Sequence, residues 1–380
     1  MRQLKALRAL KSPLAVVPIE ACFTIKDLLT CLLRSIRLYL RPMQILGPVE
    51  IDGLDLSYLV KQSMNRSRQS GDIFWGLRIY YCGRELAKTV LITRCLYPYE
   101  NLVREKMLLL GMRSISPALK MIGYQHAAVS RGHTNFMFCE GESKINPLPD
   151  MILTTGGIIK EWLEKEGNYP SGIFKTACGL RQGRLSVSGG QISRRPRSYP
   201  IQKVLVVFGS LQEYVSALSF VEKSFTEQND CDVRIRPHPM TPLDKALEIA
   251  PLSRRDFFTL SADSLTEDMG WADVVIYSSS TVAIEALSLG IPIIYMDLGD
   301  YLDADPLFGL KEFKWSVLEP SDMLTTIREI ESLGDIQFKK LQEKGIECGV
   351  INMHTVKPLD EEAVLRLARG IRLLVTLEEH

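Results

Sequence analysis

Short apolar runs and segments of helical period alternate along most of this chain, and the clearest case is residues 274–297, VVIYSSSTVAIEALSLGIPIIYMD. Val274 to Tyr277 is a four-residue apolar run with no room for a helical period, so it reads as a buried strand. Three serines and Thr281 follow, and from Val282 the spacing turns helical, with Val282, Ala283, Ala286 and Leu287 on one face, interrupted by Glu285. Gly290 ends that helix, Pro292 prevents its continuation, and residues 291–296 form a second buried strand. A strand that runs through a hydroxyl-rich turn into a helix offers free N–H groups, hydroxyl donors and the positive end of a helix dipole. Ser278, Ser279, Ser280, Thr281 and Glu285 are therefore candidates for holding phosphate; a capped helix in an ordinary βαβ unit is the alternative.

The same alternation predicts the remaining elements. Between Ile25 and Leu40, leucines and isoleucines recur at helical spacing beside Lys26, Arg34 and Arg37. Residues 76–81 and 89–93 read as strands, 102–110 as a helix closed by Gly111, and 120–126 as a strand. Glu100 and His126 then both fall at strand-to-helix junctions on one edge of a parallel sheet, where open α/β sheets bind ligands. Residues 131–150 read as loop, 149–153 as a strand, 158–165 as a helix and 175–179 as a short strand. Residues 183–200, rich in Gly, Ser and Arg, read as a linker. After it come a strand at 204–208, the turn Gly209 and Ser210, a helix at 212–223, and a strand at 233–235. The expected organisation is a basic helical region at 1–45, an acceptor-side α/β domain at 46–190, a donor-side α/β domain at 191–340, and a tail at 341–380.

Composition narrows the function classes. The 380 residues carry a net charge of +1, so no global basic field points to nucleic acid. The eight cysteines include no CxxC pair, which suits a reducing cytosol better than a disulfide framework or a zinc site. The carboxylates between Asp263 and Asp273 fit an exposed helix ahead of the Val274 strand, with Asp268 and Asp273 solvated or capping, and no metal site is expected. No apolar run approaches bilayer length, and the N-terminus lacks the apolar core of a signal peptide. The expected location is the cytoplasm. Residues 1–45 form a basic amphipathic segment fitting either the inner face of the plasma membrane or packing on their own domain.

Two further motifs carry candidate chemistry. Gly209 and Ser210 open a helix after a strand, as a phosphate loop does, although any such turn favours these residues. Arg236, Pro237, His238 and Pro239 end another strand, and the two prolines fix the backbone around one histidine. His238 there can donate to a phosphate oxygen, with Arg236 adding charge.

Taken together, two α/β halves, a basic linker, the RPHP motif and the SSST turn resemble a GT-B glycosyltransferase. His238–Pro239 and the serine triplet are similar to the motifs of bacterial transferases that use CMP-activated sugars, the sialyl-, polysialyl- and Kdo-transferase-like enzymes of capsule and lipopolysaccharide synthesis. The stretches YEN at 99–101 and GYQH at 123–126 resemble the N-terminal half of that group. The resemblance implies two Rossmann-like domains facing a cleft, a CMP-sugar as donor substrate with no separate cofactor, and a glycan or lipid-linked acceptor. It also implies that His238 and the serines hold the CMP phosphate, and that an acidic residue of the N-terminal half deprotonates the acceptor. Glu100 is the first candidate for that base; Glu140, in the partial acidic motif Cys139, Glu140 and Gly141, and His126 are the other acceptor-side candidates. The tail from Gly345 resembles the C-terminal domain of transketolase-type enzymes and reads as β-α-β, with strands at 348–353 and 373–377 and Asp360 as a helix cap.

The function expected is transfer of a nonulosonic acid or Kdo-like sugar to a surface glycan. Three alternatives stand beside it: a CDP-glycerol-type polyol-phosphate transferase, a UDP-sugar 2-epimerase, and an inactive nucleotide-binding scaffold subunit.

Overall fold

The computed structural model describes residues 22–41, 47–177, 199–209, 211–225, 230–239, 247, 252, 256–299 and 302–353. Two parallel sheets organise them, each over its own core. The smaller has the order β3-β4-β5-β6, formed by Arg94–Pro98, Lys120–Tyr124, Met151–Thr154 and Phe174–Thr176. Helices α4 (Val103–Arg113) and α5 (Gly157–Glu166) follow β3 and β5. Ahead of this sheet lie α1 (Ile25–Leu40), a two-residue hairpin of β1 (Glu50–Ile51) and β2 (Leu54–Asp55), α2 (Ser57–Gln69) and α3 (Asp72–Thr89).

The larger sheet comprises β7 (Lys203–Val207), β8 (Asp232–Arg236), β9 (Thr259–Leu260), β10 (Val274–Tyr277), β11 (Ile293–Met296) and β12 (Lys314–Val317). Its spatial order is β12-β11-β10-β7-β8-β9. Val274–Tyr277 and Ile293–Met296 are buried along their whole length, as strands covered on both faces must be. From β7 the chain first moves outward to β8 and β9, then returns to the other side of β7 to form β10. The order therefore reverses between β7 and β10, and a crevice at such a reversal is where doubly wound sheets take their ligands. Helices α6 (Leu211–Ser224), α7 (Leu265–Trp271), α8 (Val282–Ser288), α9 (Met323–Ser332) and α10 (Asp335–Met353) complete this unit.

The carboxyl edges of the two sheets meet. Gly132, in the loop after β4, donates its N–H to the Asp303 carbonyl, after β11, at 2.7 Å. Beside it the Arg131 guanidinium lies over the Phe308 ring at 5.1 Å, and Trp162 packs edge-on against Phe308 at 5.2 Å. Two parallel-sheet α/β units whose ligand edges face each other are the architecture expected from the sequence.

Several local expectations need correction. Residues 76–81 are helical, inside α3, despite the strand-like Ile79, Tyr80 and Tyr81. Packing decides this: α3 lies so close to α4 that a Cβ on Gly111 would sit 2.1 Å from the Tyr80 carbonyl oxygen. Gly111 is thus a contact point inside α4 rather than the end of the helix. The strand expected at 89–93 begins only at Arg94, and residues 131–150 contain short 3₁₀ turns at Thr134–Phe136 and Glu142–Lys144. Residues 348–353 belong to helix α10, not to a strand. Most of the linker at 183–200, with the domain boundary at 190, lies outside the described residues, as do residues 1–21, Ser210, Asp360 and the strand expected at 373–377.

Candidate active site

At the reversal point, the turn after β7 and the turn after β10 come into direct contact. A Cβ on Gly209 would lie 2.2 Å from Ser279 Oγ, so only glycine lets the two turns approach this closely. Between them sits the carboxylate of Glu213, from the first turn of α6 and almost fully buried. It accepts the Ser279 N–H at 3.1 Å on one oxygen and the Gly209 N–H on the other. The backbone donors that the sequence offers to a phosphate are thus gathered at one point and held there by an internal anion. Glu213 was not among the sequence candidates. Its signal is the acid four residues after Gly209, at the spacing that returns one helical turn to the start of the element.

Around this point the serine turn is partly sealed. Ser278 and Ser280 are buried, Ser279 is half-buried and Thr281 is exposed. Ser280 Oγ accepts the Val282 N–H at 3.4 Å. Burial pushes the half-buried Glu285 carboxyl upward, and the Arg236 charge draws it back. His238 is exposed at the end of β8, and its backbone N–H donates to the Tyr214 hydroxyl at 2.6 Å, which pins the RPHP turn to α6.

Arg236 itself is committed. Its guanidinium donates to Asp268 at 2.6 Å and to the Asp263 carbonyl at 2.8 Å. Arg234 reaches the other oxygen of Asp268 at 3.0 Å while stacking over Trp271 at 4.0 Å. Asp268, expected to be solvated or capping, is instead fully buried. Burial alone would raise its carboxyl pKa, but hydrogen bonds from Ser261, Arg236 and Arg234 outweigh that and hold it below the usual range. Asp273 accepts the N–H groups of Gln202 and Lys203, at 3.2 and 3.0 Å. Among the described residues, no group of three or more His, Cys, Asp or Glu side chains could hold a metal.

On the facing sheet, Glu100 and His126 do come together. His126 Nε2 lies 3.6 Å from Glu100 Oε1, and Arg104 Nη2 lies 3.6 Å from the other oxygen. Two neighbours hold the bend that presents Glu100. Glu105, buried, accepts the N–H groups of Glu100 and Leu102 at 2.9 and 3.2 Å. Burial pushes the Glu105 carboxyl up to about 7, against the opposing pull of those N–H donors. Asn101, in the left-handed region at φ 59°, donates to the Asn135 carbonyl at 2.7 Å, and Asn135 donates to the Glu100 carbonyl at 2.6 Å. Gln125 ties the His126 loop to Thr155, accepting its N–H at 2.9 Å. Glu140 is exposed, in the turn after Phe138, and no contact joins it to Glu100 or His126 among the described interactions. Phe138 N–H donates to Gly167 at 3.2 Å and Asn168 to the Phe138 carbonyl at 2.7 Å, tying the turn to the far end of α5. That helix is about 15 Å long.

A cavity of about 280 Å³ opens next to Ser278, at the carboxyl ends of β10, β11 and β12. Its polar wall is Ser278, Asp297, Asp303, Asp305, Lys314 and Ser316, with Tyr295 and Phe308 supplying aromatic faces. Asp305 pairs with Lys314 and accepts the Tyr277 hydroxyl at 3.0 Å, so two walls of the cavity are locked from below. This cavity was missed from the sequence. The trace it leaves there is LDADP at 302–306, two acids just past a buried strand.

Comparison with known proteins adds the following. Residues 337–380 match the family model "Transketolase, C-terminal domain", which agrees with the resemblance read in the tail. No curated protein matches the chain in sequence. Among solved structures, Anabaena Alr3699/HepE in complex with UDP and glucose is similar at 12% identity and a TM-score of 0.49, covering 76% of this chain and 81% of that one. A glycosyltransferase from Rickettsia africae is similar at 13% identity and a TM-score of 0.49, covering 79% and 82%. A UDP-N-acetylglucosamine 2-epimerase is similar at 14% identity and a TM-score of 0.45, covering 80% of each chain.

Proposed function

We propose that the chain is a glycosyltransferase that moves a sugar from a nucleotide-activated donor, a CMP-sugar in the first instance, to a glycan acceptor. One observation carries this reading: the strand-order reversal with its serine turn lies on a carboxyl edge that meets the edge bearing Glu100 and His126. A donor phosphate held by the hydroxyls of the serine turn and His238, beside the crevice that Glu213 fills, leaves room for its sugar in the adjoining cavity, where carboxylates accept from hydroxyls and Ser316 can accept or donate. Displacement at the anomeric carbon then needs the departing phosphate stabilised, which falls to the serine turn and His238. It also needs a base for the acceptor hydroxyl. Glu100 fits that role because His126 and Arg104 orient its carboxylate while it stays partly open to solvent. The CMP preference rests on His238, Pro239 and the serine triplet alone.

The test has two arms. CMP should raise the melting temperature more than CDP, UDP or GDP, because a ligand that binds only the folded state stabilises it. In product analysis with a CMP-sugar and an acceptor panel, Glu100→Gln should keep the CMP shift and lose transfer by about 10²–10⁴-fold, the usual contribution of a positioned base. Equal or absent shifts for all nucleotides would sink the CMP assignment. Near-normal transfer by Glu100→Gln would remove Glu100 as the base. UDP-sugar turnover without acceptor would replace the reading with an epimerase.

A further inference from the structure

Helix α1 is seated inside out. Thr24 and Asp27 close a capping box at its start, and Ile25, Leu28, Leu29, Leu32, Leu33 and Ile36 recur along it at helical spacing. A helix packed on its own domain buries such a stripe. Here every one of those residues is exposed, Ile25 at 81% and Leu33 at 67%. The side turned to the body is instead that of Cys31, fully buried, and Arg34, whose guanidinium lies 5.7 Å from the centre of the Tyr81 ring on α3. A contiguous apolar patch of this kind marks an interaction site.

Charge identifies the occupant. At about 100° per residue, Lys26 and Arg37 project along one border of the stripe, and Arg41 follows at the C-cap. Neighbouring α2 adds Lys61, Arg66 and Arg68 with no acidic residue, and Arg68 stacks on Tyr39 of α1 at 5.4 Å. Across α1, Arg41 and α2 there are seven Lys and Arg against Asp27 alone, which the capping box already engages. Two copies meeting through this face would bring like charges together, which disfavours a homodimer. An acyl-chain layer beneath anionic headgroups satisfies both the stripe and its border.

We propose that the outward face of α1, with the basic border it shares with α2, docks the protein on an anionic lipid bilayer. Docking does not depend on the transferase reading. Its consequence does: α1 packs on α3, α3 packs on α4, and α4 begins just after Glu100, so the docked protein presents its acceptor side near lipid and takes a lipid-anchored acceptor.

The experiment is co-sedimentation of the full chain with vesicles of about 30% phosphatidylglycerol in phosphatidylcholine, against pure phosphatidylcholine, at low and at about 0.5 M salt. Wild type should bind the anionic vesicles, lose most of that binding in high salt, and bind pure phosphatidylcholine weakly. Leu29→Asp/Leu33→Asp should partition at least about tenfold less while keeping the wild-type melting temperature, since both side chains are already in water. Failure of wild type to bind anionic vesicles overturns the proposal, and so does equal binding by the double variant. Binding that emerges only after deletion of residues 1–21 overturns it for the full chain. A dimer that the double variant dissociates, without vesicle binding, overturns it in favour of a second copy. A CMP melting shift on the same preparations separates the two readings: vesicle binding without it counts against the CMP-donor reading and leaves docking standing.

Discussion

Replacing Glu213 with alanine tests whether the Gly209–Ser279 crevice is an anion receptacle. The wild-type carboxylate takes the Ser279 N–H at 3.1 Å and the Gly209 N–H, each a charge-assisted hydrogen bond. Without it two backbone donors lose their partner, at about 1–2 kcal/mol each. The expected loss is therefore about 2–4 kcal/mol, and at about 2–4 °C per kcal/mol the variant should melt roughly 4–16 °C below wild type. The gap left behind has the charge preference of a phosphate. Inorganic phosphate at about twenty times a millimolar dissociation constant should return about 1.8 kcal/mol. Melting curves of wild type and Glu213→Ala, with and without phosphate at matched ionic strength, read both effects. Phosphate should lift the variant by several degrees more than wild type, whose own carboxylate already fills the place. If Glu213→Ala does not fold, Glu213→Gln keeps one acceptor and should show a smaller version of the same difference. Equal phosphate shifts in wild type and variant would refute the receptacle.

Two other buried carboxylates give predictions of opposite pH sign. Asp268 is held below its ordinary pKa, so its contribution to stability is present above the unfolded value near 3.8 and is lost as pH falls through the depressed folded value. Asp268→Asn, which strands Arg234 and Arg236 around a neutral amide, should cost about 3–5 kcal/mol by chemical denaturation at neutral pH and flatten the acid limb of the stability curve. Glu105 is raised from 4.5 to about 7, so its contribution is present below pH 4.5 and is lost as pH rises to 7. Glu105→Gln, which keeps an oxygen for the Glu100 and Leu102 N–H groups, should remove that decline; an unchanged pH profile between 4.5 and 7 would show that Glu105 is not the group responsible.

What was legible in the sequence was what local pattern controls. Strand, turn and helix through 274–288 follow directly from a four-residue apolar run, four hydroxyl residues and a helical period, and the pairing of Glu100 with His126 follows from placing both at one sheet edge. What was not legible depends on contacts between distant segments. Residues 76–81 have the composition of a strand, and only the close packing of α3 on Gly111 makes them helical. Asp268 looks like a surface carboxylate until Arg234 and Arg236, more than thirty residues earlier, close over it. Glu213 looks like an ordinary helical acid until the reversal of strand order brings Ser279 to it.

The tail tests how far a sequence likeness reaches. A separate domain begins where contacts with the preceding chain become few, because each domain carries its own core. The transketolase-type match starts at residue 337. Contacts do not thin out there. Phe338 packs edge-on against Phe313 at 5.3 Å, and Gln342, almost fully buried, donates to the Gly290 carbonyl at 2.8 Å. A Cβ on Gly345 would sit 2.6 Å from Phe313 and 3.1 Å from Leu287, so helix α10 lies flush against the unit that holds the serine turn. Gly290 ends the helix that the serine turn begins, which links the start of the matched segment mechanically to the crevice. Residues 337–345 therefore act as the closing layer of the larger-sheet unit, and over this stretch the likeness describes a helix packed into the fold rather than the start of an appended module.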